Sequence, residues 1–279
     1  MSDSGRPRRI PTRATVVTAE RLSPHMVRVL LRLPDGADFT VGEFSDHYVK
    51  LLFPPIGADY TADADMDAIQ QSRPREDHPV QRAYTVRTYD PTAATFVVDF
   101  VWHGDKGLAG PWAAAAQPGD AISFVGPGGA YLPADDADWH LMIADESALP
   151  AVAASLERVQ PGVPVHAFVE VDGPADELPL TSPGALSLTW VHREGASAAD
   201  LATTVTRAAL PAGDAHVFLH GDATMVRELR RYARTELGVD SERLSASGYW
   251  RRGLADEAWR ASKRDWNAQV QADEAALQH

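Results

Sequence analysis

The sequence predicts two domains of different class, an all-β antiparallel barrel followed by an α/β domain with a parallel sheet, and then a C-terminal helical tail. In the first half of the 279-residue chain, short alternating segments follow one another at regular spacing, which is typical of strands in a barrel. In the second half, apolar strand-like segments alternate with helical patterns, which predicts crossover helices on a parallel sheet. Apolar residues at helical spacing continue towards the end of the chain.

Turn residues separate the strand-like segments of the first half. Ser23-Pro24 lies between the first two segments, and Pro54-Pro55 ends the third. An alanine-rich stretch after residue 107 predicts a short helix that ends at Pro118-Gly119. Residues 57–78 carry many acids and few large apolar groups, so we expect a solvated loop or insertion there. Strands are expected at 13–22, 25–34, 46–53, 82–90 and 95–103, with a last strand and turn at 120–133.

The second half repeats a strand, a polar turn and a helix. Residues 139–159 have this pattern, and residues 214–238 have it again. Further strands are expected at 163–171, 186–192 and 243–250, and a further helix at 197–210.

The tail has a helical pattern, with Trp259, Trp266 and Val270 on one face. The boundary between the two main parts is expected in the polar stretch 133–138. The predicted domains are therefore 10–135 and 136–254, followed by a C-terminal helix at 255–279.

The chain is acidic and contains no cysteine. Its net charge of −13 argues against a general nucleic-acid-binding or anionic-membrane surface. The absence of cysteine excludes disulfides, thiolate metal sites, cysteine nucleophiles and Cys-ligated iron–sulfur clusters. Histidines are scattered without HExxH or HxH spacing, so we expect no metal bound by the protein itself. The N-terminus lacks the apolar region of a secretory signal and no run is long enough to span a membrane, so we expect a soluble, cytoplasmic protein. We also expect it to be a monomer.

The segment "RAYTVR" places unusual side chains on one strand. Arg82 and Tyr84 lie two residues apart and share a face, with Thr85 beside them. A cation, an aromatic ring and a small hydrogen-bonding group suit a flat, charged ligand. The alternative is an ordinary edge strand.

The loop "HGDKGLAGPW" runs from a strand to the short helix. Gly104, Gly107 and Gly110 permit tight turns, and the helix start presents backbone N–H groups to an anion such as a pyrophosphate, with His103 or Lys106 adding polar contacts. The alternative is a glycine-rich barrel loop that binds nothing.

Polar residues follow the strands of the second half, where a nucleotide would bind at the carboxyl edge of a parallel sheet. The first strand is followed by "ADESALPA" and a later one by "HGDATM", so the candidates are Asp145, Glu146, Ser147, Gly221 and Asp222. The alternative is helix capping by Asp145, Ser147 or Asp222. Arg193, after another strand, is either a reader of a ribose 2′-phosphate or a surface arginine.

The segment "SGYWRRG" closes the last strand with two aromatic residues and two arginines. Trp250, Arg251 and Arg252 could form an aromatic wall with a basic rim for a planar anion. The alternative is a tryptophan that closes the domain beside solvated arginines.

Together and in this order, these segments resemble the siderophore-interacting protein family of flavin-dependent ferric-siderophore reductases. The resemblance covers about residues 12–260 and rests on "HYVKLLFP", "RAYTVR", "DFVWHGDKGLAGPWAAAAQPGD", "GPGG", "ADESALPA", "LHGDATMVRELRRY" and "GYWRRG". It implies a ferredoxin-reductase-like fold, with FAD on the barrel and NAD(P)H, or alternatively ferredoxin, as electron donor. A hydride would pass to the flavin, and single electrons would then reduce Fe(III) in a ferric siderophore.

The resemblance also implies residue roles. Tyr84 would stack on the isoalloxazine, Thr85 would hydrogen-bond near its N5 and Arg82 would neutralise the pyrophosphate. Lys50, Arg251 and Arg252 would bind the ferric siderophore. Asp145, Glu146 and Ser147 would border the nicotinamide, and Gly221 and Asp222 would also contact the nucleotide. The implied FAD contacts are Arg82, Ala83, Tyr84, Thr85, Asp99, Phe100, Val101, His103, Gly107, Leu108, Ala109 and Trp250.

Three positions depart from the family pattern. The hydroxyl usual near the helix start is replaced by Gly110, so a phosphate contact there must come from backbone. Ala144 stands where glycine is common, and His220 begins the segment that usually reads Ala-Gly-Glu. The last two fall in the nucleotide domain, so FAD binding is better supported than direct use of NAD(P)H. The alternatives are a general NAD(P)H:flavin or ferredoxin-linked reductase, and a non-enzymatic siderophore-binding flavoprotein.

Overall fold

The chain forms two compact units, residues 1–130 and 131–279. The computed structural model describes residues 10–62, 64–194, 200–254 and 256–277.

The first unit contains a seven-stranded antiparallel sheet in the order β4-β3-β7-β1-β2-β6-β5. Alternation builds its core: in β2, Val27, Val29 and Leu31 are buried, whereas Arg32 is exposed. The strands are β1 Thr12–Ser23, β2 Met26–Arg32, β3 Tyr48–Phe53, β4 Val80–Thr85, β5 Thr88–Asp90, β6 Thr95–Val101 and β7 Ala121–Gly128. The helices are α1 Met66–Ser72 and α2 Ala109–Ala115.

Helix α1 corrects the prediction of a loop through residues 57–78. The carboxylate of Asp65 caps its first turn by accepting hydrogen bonds from two backbone N–H groups. Met66 and Ile69 lie three residues apart and are buried against Leu52 of β3. Two apolar residues at this spacing are therefore enough to dock the segment on the sheet.

The second unit contains a five-stranded parallel sheet in the order β10-β9-β8-β11-β12. Its strands are β8 Trp139–Asp145, β9 Pro164–Val171, β10 Ala185–His192, β11 Ala215–Asp222 and β12 Leu244–Trp250. Its helices are α3 Leu149–Leu156, α4 Leu201–Arg207, α5 Ala223–Thr235 and α6 Asp256–Leu277. The predicted start of α4 at 197–199 lies outside the described residues.

The C-terminal helix α6 packs on the core of the second unit. Trp259, Trp266 and Val270 are buried in the same hydrophobic cluster as the sheet residues Leu141 and Val217. The predicted fold class, including this helix, is confirmed. Among the described residues, no helix is both long enough and apolar enough to cross a bilayer.

Candidate functional site

The Arg82-Tyr84-Thr85 segment lies on β4, at one edge of the first sheet. The ring of Tyr84 is half-buried, and its centroid is 4.5 Å from that of Phe100, which is fully buried behind it. Arg82 and Tyr84 face the same side of the sheet, since their cross-strand partners Leu51 and Val49 both belong to the core. The edge thus carries a supported aromatic ring and a half-buried guanidinium on one face, which fits a flat, anionic cofactor.

Two side chains of the neighbouring strand β3, Tyr48 and Lys50, lie close to Thr85. Tyr48 is the direct cross-strand neighbour of Thr85, and Lys50 lies two residues further on β3, opposite Ala83. Tyr48 and Lys50 therefore share the face of Thr85, away from Tyr84. Tyr48 is 37% exposed and was not among the predicted site residues, although an exposed aromatic residue on a buried strand is a signal for it.

Gly128, at the end of β7, completes the surroundings of Tyr48. A Cβ at Gly128 would lie 2.7 Å from the Tyr48 ring, so the "GPGG" segment needs glycine to let the ring approach its backbone.

The loop before α2 is open on its glycine side. Gly104 and Gly107 have φ values of +67° and +79°, and a Cβ on either would meet no described atom within 4 Å. No side chain of the described residues caps α2 at its N-cap, Leu108. An open loop that offers backbone N–H groups fits a diphosphate.

Packing explains why residue 110 is glycine. A Cβ there would lie 2.9 Å from the backbone oxygen of Val101, because α2 crosses β6 closely. Any residue with a Cβ, serine included, would meet this contact in the present structure.

Four of the implied FAD contacts, Asp99, Phe100, Val101 and His103, divide into buried and accessible side chains. The carboxylate of Asp99 is buried and accepts two hydrogen bonds, of 2.7 and 2.8 Å, from the guanidinium of Arg28. Phe100 is also buried and supports Tyr84 instead of facing solvent. Val101 is half-buried and His103 is exposed, so these two present the accessible side chains of the group.

A cavity of about 540 Å³ lies beside α2 in the first unit. Its walls include Phe53, Tyr60, Trp112, Arg13 and Asp120, and Leu108 is the predicted site residue that also lines it.

In the second unit, Asp145 is an internal hydrogen-bond hub at the end of β8. Its Oδ1 accepts from the backbone N–H and the hydroxyl of Ser147, at 2.9 and 2.5 Å. Its Oδ2 accepts from the N–H of Asp222 and from Trp250 Nε1, both at 2.7 Å. Gly221 is required beside it, because a Cβ there would lie 2.5 Å from this oxygen. Asp145 is 2% exposed, and burial raises its pKa against the effect of these hydrogen bonds.

Of the residues considered as possible helix caps, Asp222 caps a helix, whereas Asp145 and Ser147 do not. Asp222 caps α5 by accepting from the N–H groups of Thr224 and Met225, and it also accepts from the N–H of Arg252 at 2.8 Å. By contrast, neither Asp145 nor Ser147 caps α3, whose N-cap is Ala148 without a side-chain bond.

Arg193, which follows β10, is in a carboxylate network instead of on the surface. Its side chain is 15% exposed and forms ion pairs with Glu146, with Asp172 at 2.7 Å and with Glu170 at 3.3 Å. Glu146 is 4% exposed and also accepts from the N–H of Asp172 at 2.9 Å. Burial raises the pKa of Glu170 to about 7, although Arg193 opposes the shift. The surface-arginine interpretation is therefore wrong.

The two departures in the second unit are packing residues. His220 is buried, stacks on Phe218 at 3.9 Å and hydrogen-bonds the hydroxyls of Tyr249 and Ser245, each at 2.9 Å. Ala144 is fully buried in β8.

The basic residues after β12 remain accessible. Arg251 and Arg252 are exposed, and the guanidinium of Arg252 lies 3.7 Å from Glu170. Among the described residues, no group of three or more His, Asp or Glu side chains is arranged to hold a metal ion.

The comparisons with known proteins agree with this geometry. The family model described as siderophore-interacting FAD-binding domain matches residues 15–131, and the model described as siderophore-interacting protein matches residues 137–253. A ferric vibriobactin reductase from Vibrio cholerae is 31% identical over 246 residues, which cover 87% of this chain and 90% of that protein. An NADPH-dependent ferric-chelate reductase from Escherichia coli is 32% identical over 244 residues, covering 85% and 91%.

Among solved structures, the siderophore-interacting protein SipS from Aeromonas hydrophila matches with a TM-score of 0.77 and 28% identity. The match covers 92% of this chain and 98% of that one. The chain therefore belongs to the siderophore-interacting protein family, and its first unit carries the FAD-binding domain of that family.

Proposed function

We propose that this protein is a cytoplasmic, monomeric, FAD-dependent ferric-siderophore reductase that takes electrons from NAD(P)H and reduces siderophore-bound Fe(III) to Fe(II). The observation that carries the proposal is the supported aromatic edge of β4 next to an open glycine loop, within a match to an FAD-binding domain. Relatives described as ferric vibriobactin reductase and NADPH-dependent ferric-chelate reductase support the same activity. Fe(II) is less highly charged than Fe(III), so oxygen chelators hold it less tightly and the iron is released.

The first unit has the residues to hold FAD, whose chemistry when bound is to couple a two-electron donor to one-electron steps. Tyr84 offers an aromatic face that Phe100 keeps in place, and Arg82 offers a cation on the same side. Backbone N–H groups of the loop offer hydrogen bonds to the diphosphate. The proposed FAD contacts are Arg82, Ala83, Tyr84, Thr85, Asp99, Phe100, Val101, His103, Gly107, Leu108, Ala109 and Trp250, with Asp99 and Phe100 acting from buried positions.

The second unit offers the donor site at the carboxyl edge of its sheet. The strand order changes direction between β8 and β11, and ligands of such sheets bind at this point. Glu146, Ser147, Gly221 and Asp222 border it, and Asp145 supports them from beneath. The proposed domains are 10–135 and 136–254, with 255–279 as the C-terminal helix.

Local cations would recruit the ferric siderophore. Catecholate complexes of Fe(III) are often anionic, and a chain with net charge −13 must meet them with local positive charge. Lys50 on β3 and the exposed Arg251 and Arg252 after β12 are the proposed contacts.

Steady-state kinetics test these contacts. The double variant R251A/R252A should raise the apparent KM for a ferric siderophore more than the KM for the nucleotide, because only the chelate depends on those cations. The matched control is R207A/R231A, which removes two other exposed arginines of the same unit. Equal effects of the two double variants on the KM for the chelate would remove Arg251 and Arg252 from the proposal.

Product analysis separates this function from its rivals. A general flavin reductase would reduce free flavin faster than any ferric chelate. A non-enzymatic siderophore-binding flavoprotein would bind the chelate and leave its iron oxidised. A ferredoxin-linked enzyme would reduce the chelate with reduced ferredoxin and with neither nucleotide.

A further inference from the structure

Arg193 lies where two neighbouring strands of the parallel sheet, β9 and β10, end. It follows β10, whereas two of its partners, Glu170 and Asp172, come from the end of β9, and the third, Glu146, follows β8. Three carboxylates therefore surround one guanidinium, and each of the three strand ends contributes to the network.

In Rossmann sheets that bind dinucleotides, residues near these strand ends distinguish NADH from NADPH. An acid after the second strand hydrogen-bonds the 2′-hydroxyl of the adenosine ribose, whereas a nearby arginine accommodates a 2′-phosphate. Asp172 stands directly after β9, the second strand. Arg193 is also present, but its guanidinium is ion-paired with three carboxylates.

We propose that the donor site takes NADH, the dinucleotide without a 2′-phosphate. It discriminates against NADPH because Arg193 is already ion-paired with Glu146, Glu170 and Asp172. This inference rests on the proposed function and specifies its donor.

A 2′-phosphate would meet a site with too little positive charge. To bind it, Arg193 would have to leave Glu146, which is 4% exposed and would then be a buried charge without its cation. Breaking a buried pair in this way is strongly unfavourable. Arg252, which the proposed function assigns to the ferric siderophore, also lies beside these acids, 3.7 Å from Glu170.

The ribose of NADH fits the same arrangement. A 2′-hydroxyl is a neutral donor, so it can approach the carboxylate of Asp172 without disturbing the ion pairs. Asp172 is 25% exposed at its side chain and so is accessible to a ligand while it holds Arg193.

Direct binding tests the inference without relying on turnover. Calorimetry of NAD⁺ and NADP⁺ with the FAD-loaded protein should give tighter binding of NAD⁺ by about tenfold or more. The ratio of kcat/KM for NADH and NADPH should favour NADH in the same sense. E146Q and, separately, D172N should weaken the hold on Arg193 and reduce the preference. D172N serves if E146Q does not fold, since Asp172 is the more exposed of the two.

A matched control exists at the other edge of the sheet. Arg243, before β12, forms ion pairs with Asp136 at 2.7 Å and Asp214 at 3.0 Å. D136N removes a carboxylate that is ion-paired with another arginine of the same sheet, and it should leave the dinucleotide preference unchanged.

The variant R193A decides between the two roles of this arginine. If carboxylates occupy Arg193, its removal does not selectively weaken NADP⁺. A selective loss of NADP⁺ binding in R193A, or tighter binding of NADP⁺ by the unmodified protein, overturns the inference and leaves the proposed reductase intact. Binding of neither dinucleotide overturns the inference together with the NAD(P)H donor of the proposed function.

Discussion

Replacing Asp145 with asparagine should destabilise the second unit, because its buried carboxylate is the acceptor for four partly buried donors. The four hydrogen bonds come from two groups of Ser147, from the N–H of Asp222 and from Trp250 Nε1, at 2.5–2.9 Å. Asparagine keeps the shape but offers one carbonyl oxygen and one NH₂ group. Two of the four donors would therefore face another donor.

The expected loss follows from the cost of unsatisfied buried donors. Each costs about 1–3 kcal/mol, so two would cost about 2–6 kcal/mol. Removing a buried charge relieves part of this, since burial already raises the pKa of Asp145. We therefore expect D145N to lower the free energy of unfolding by about 2–3 kcal/mol.

Urea unfolding followed by tryptophan fluorescence measures the effect, because five of the seven tryptophans lie in the second unit. D222N is the control: asparagine caps a helix about as well as aspartate, so its loss should stay below about 1 kcal/mol. Equal losses in D145N and D222N would refute the hub role of Asp145.

Two further predictions concern acid stability and the approach of α2 to β6. Burial lowers the pKa of His140 and His216 to about 4 and that of His220 to about 3, so the unfolded state binds more protons below pH 6.5. The free energy of unfolding should therefore fall from pH 6.5 towards pH 4, by about 2 kcal/mol per histidine at pH 5. The raised pKa of Glu170 acts in the opposite direction and offsets part of this loss. A urea midpoint that does not change between pH 7 and pH 5 would contradict this prediction. G110A places a Cβ 2.9 Å from a backbone oxygen of β6, so it should weaken FAD binding at least severalfold in an equilibrium titration, and unchanged affinity would show that the helix start adjusts freely.

The sequence predicted the elements whose apolar residues follow one period. The alternation in β2 and the helical spacing of Trp259, Trp266 and Val270 were sufficient for a strand and for the C-terminal helix. Helix α1 was missed because its docking depends on Leu52, a residue outside the segment, and because acids dominate its composition.

The candidate site was predictable as a set of residue types and not as a set of contacts. Arg193 read as a surface residue because its three carboxylate partners lie up to 47 positions away and meet it only through the register of parallel strands. Tyr48 acquired its place beside Thr85 in the same way, through pairing of β3 with β4. Local patterns in the sequence do not contain such pairings.

Anaerobic stopped-flow spectroscopy of the FAD-loaded protein tests the central claim most directly. NADH should bleach the flavin absorbance, and a ferric siderophore should then restore it with release of roughly two Fe(II) per FAD to a ferrous chelator. A protein that takes up no FAD, or a reduced flavin that stays reduced after the ferric siderophore is added, would contradict the proposed reductase.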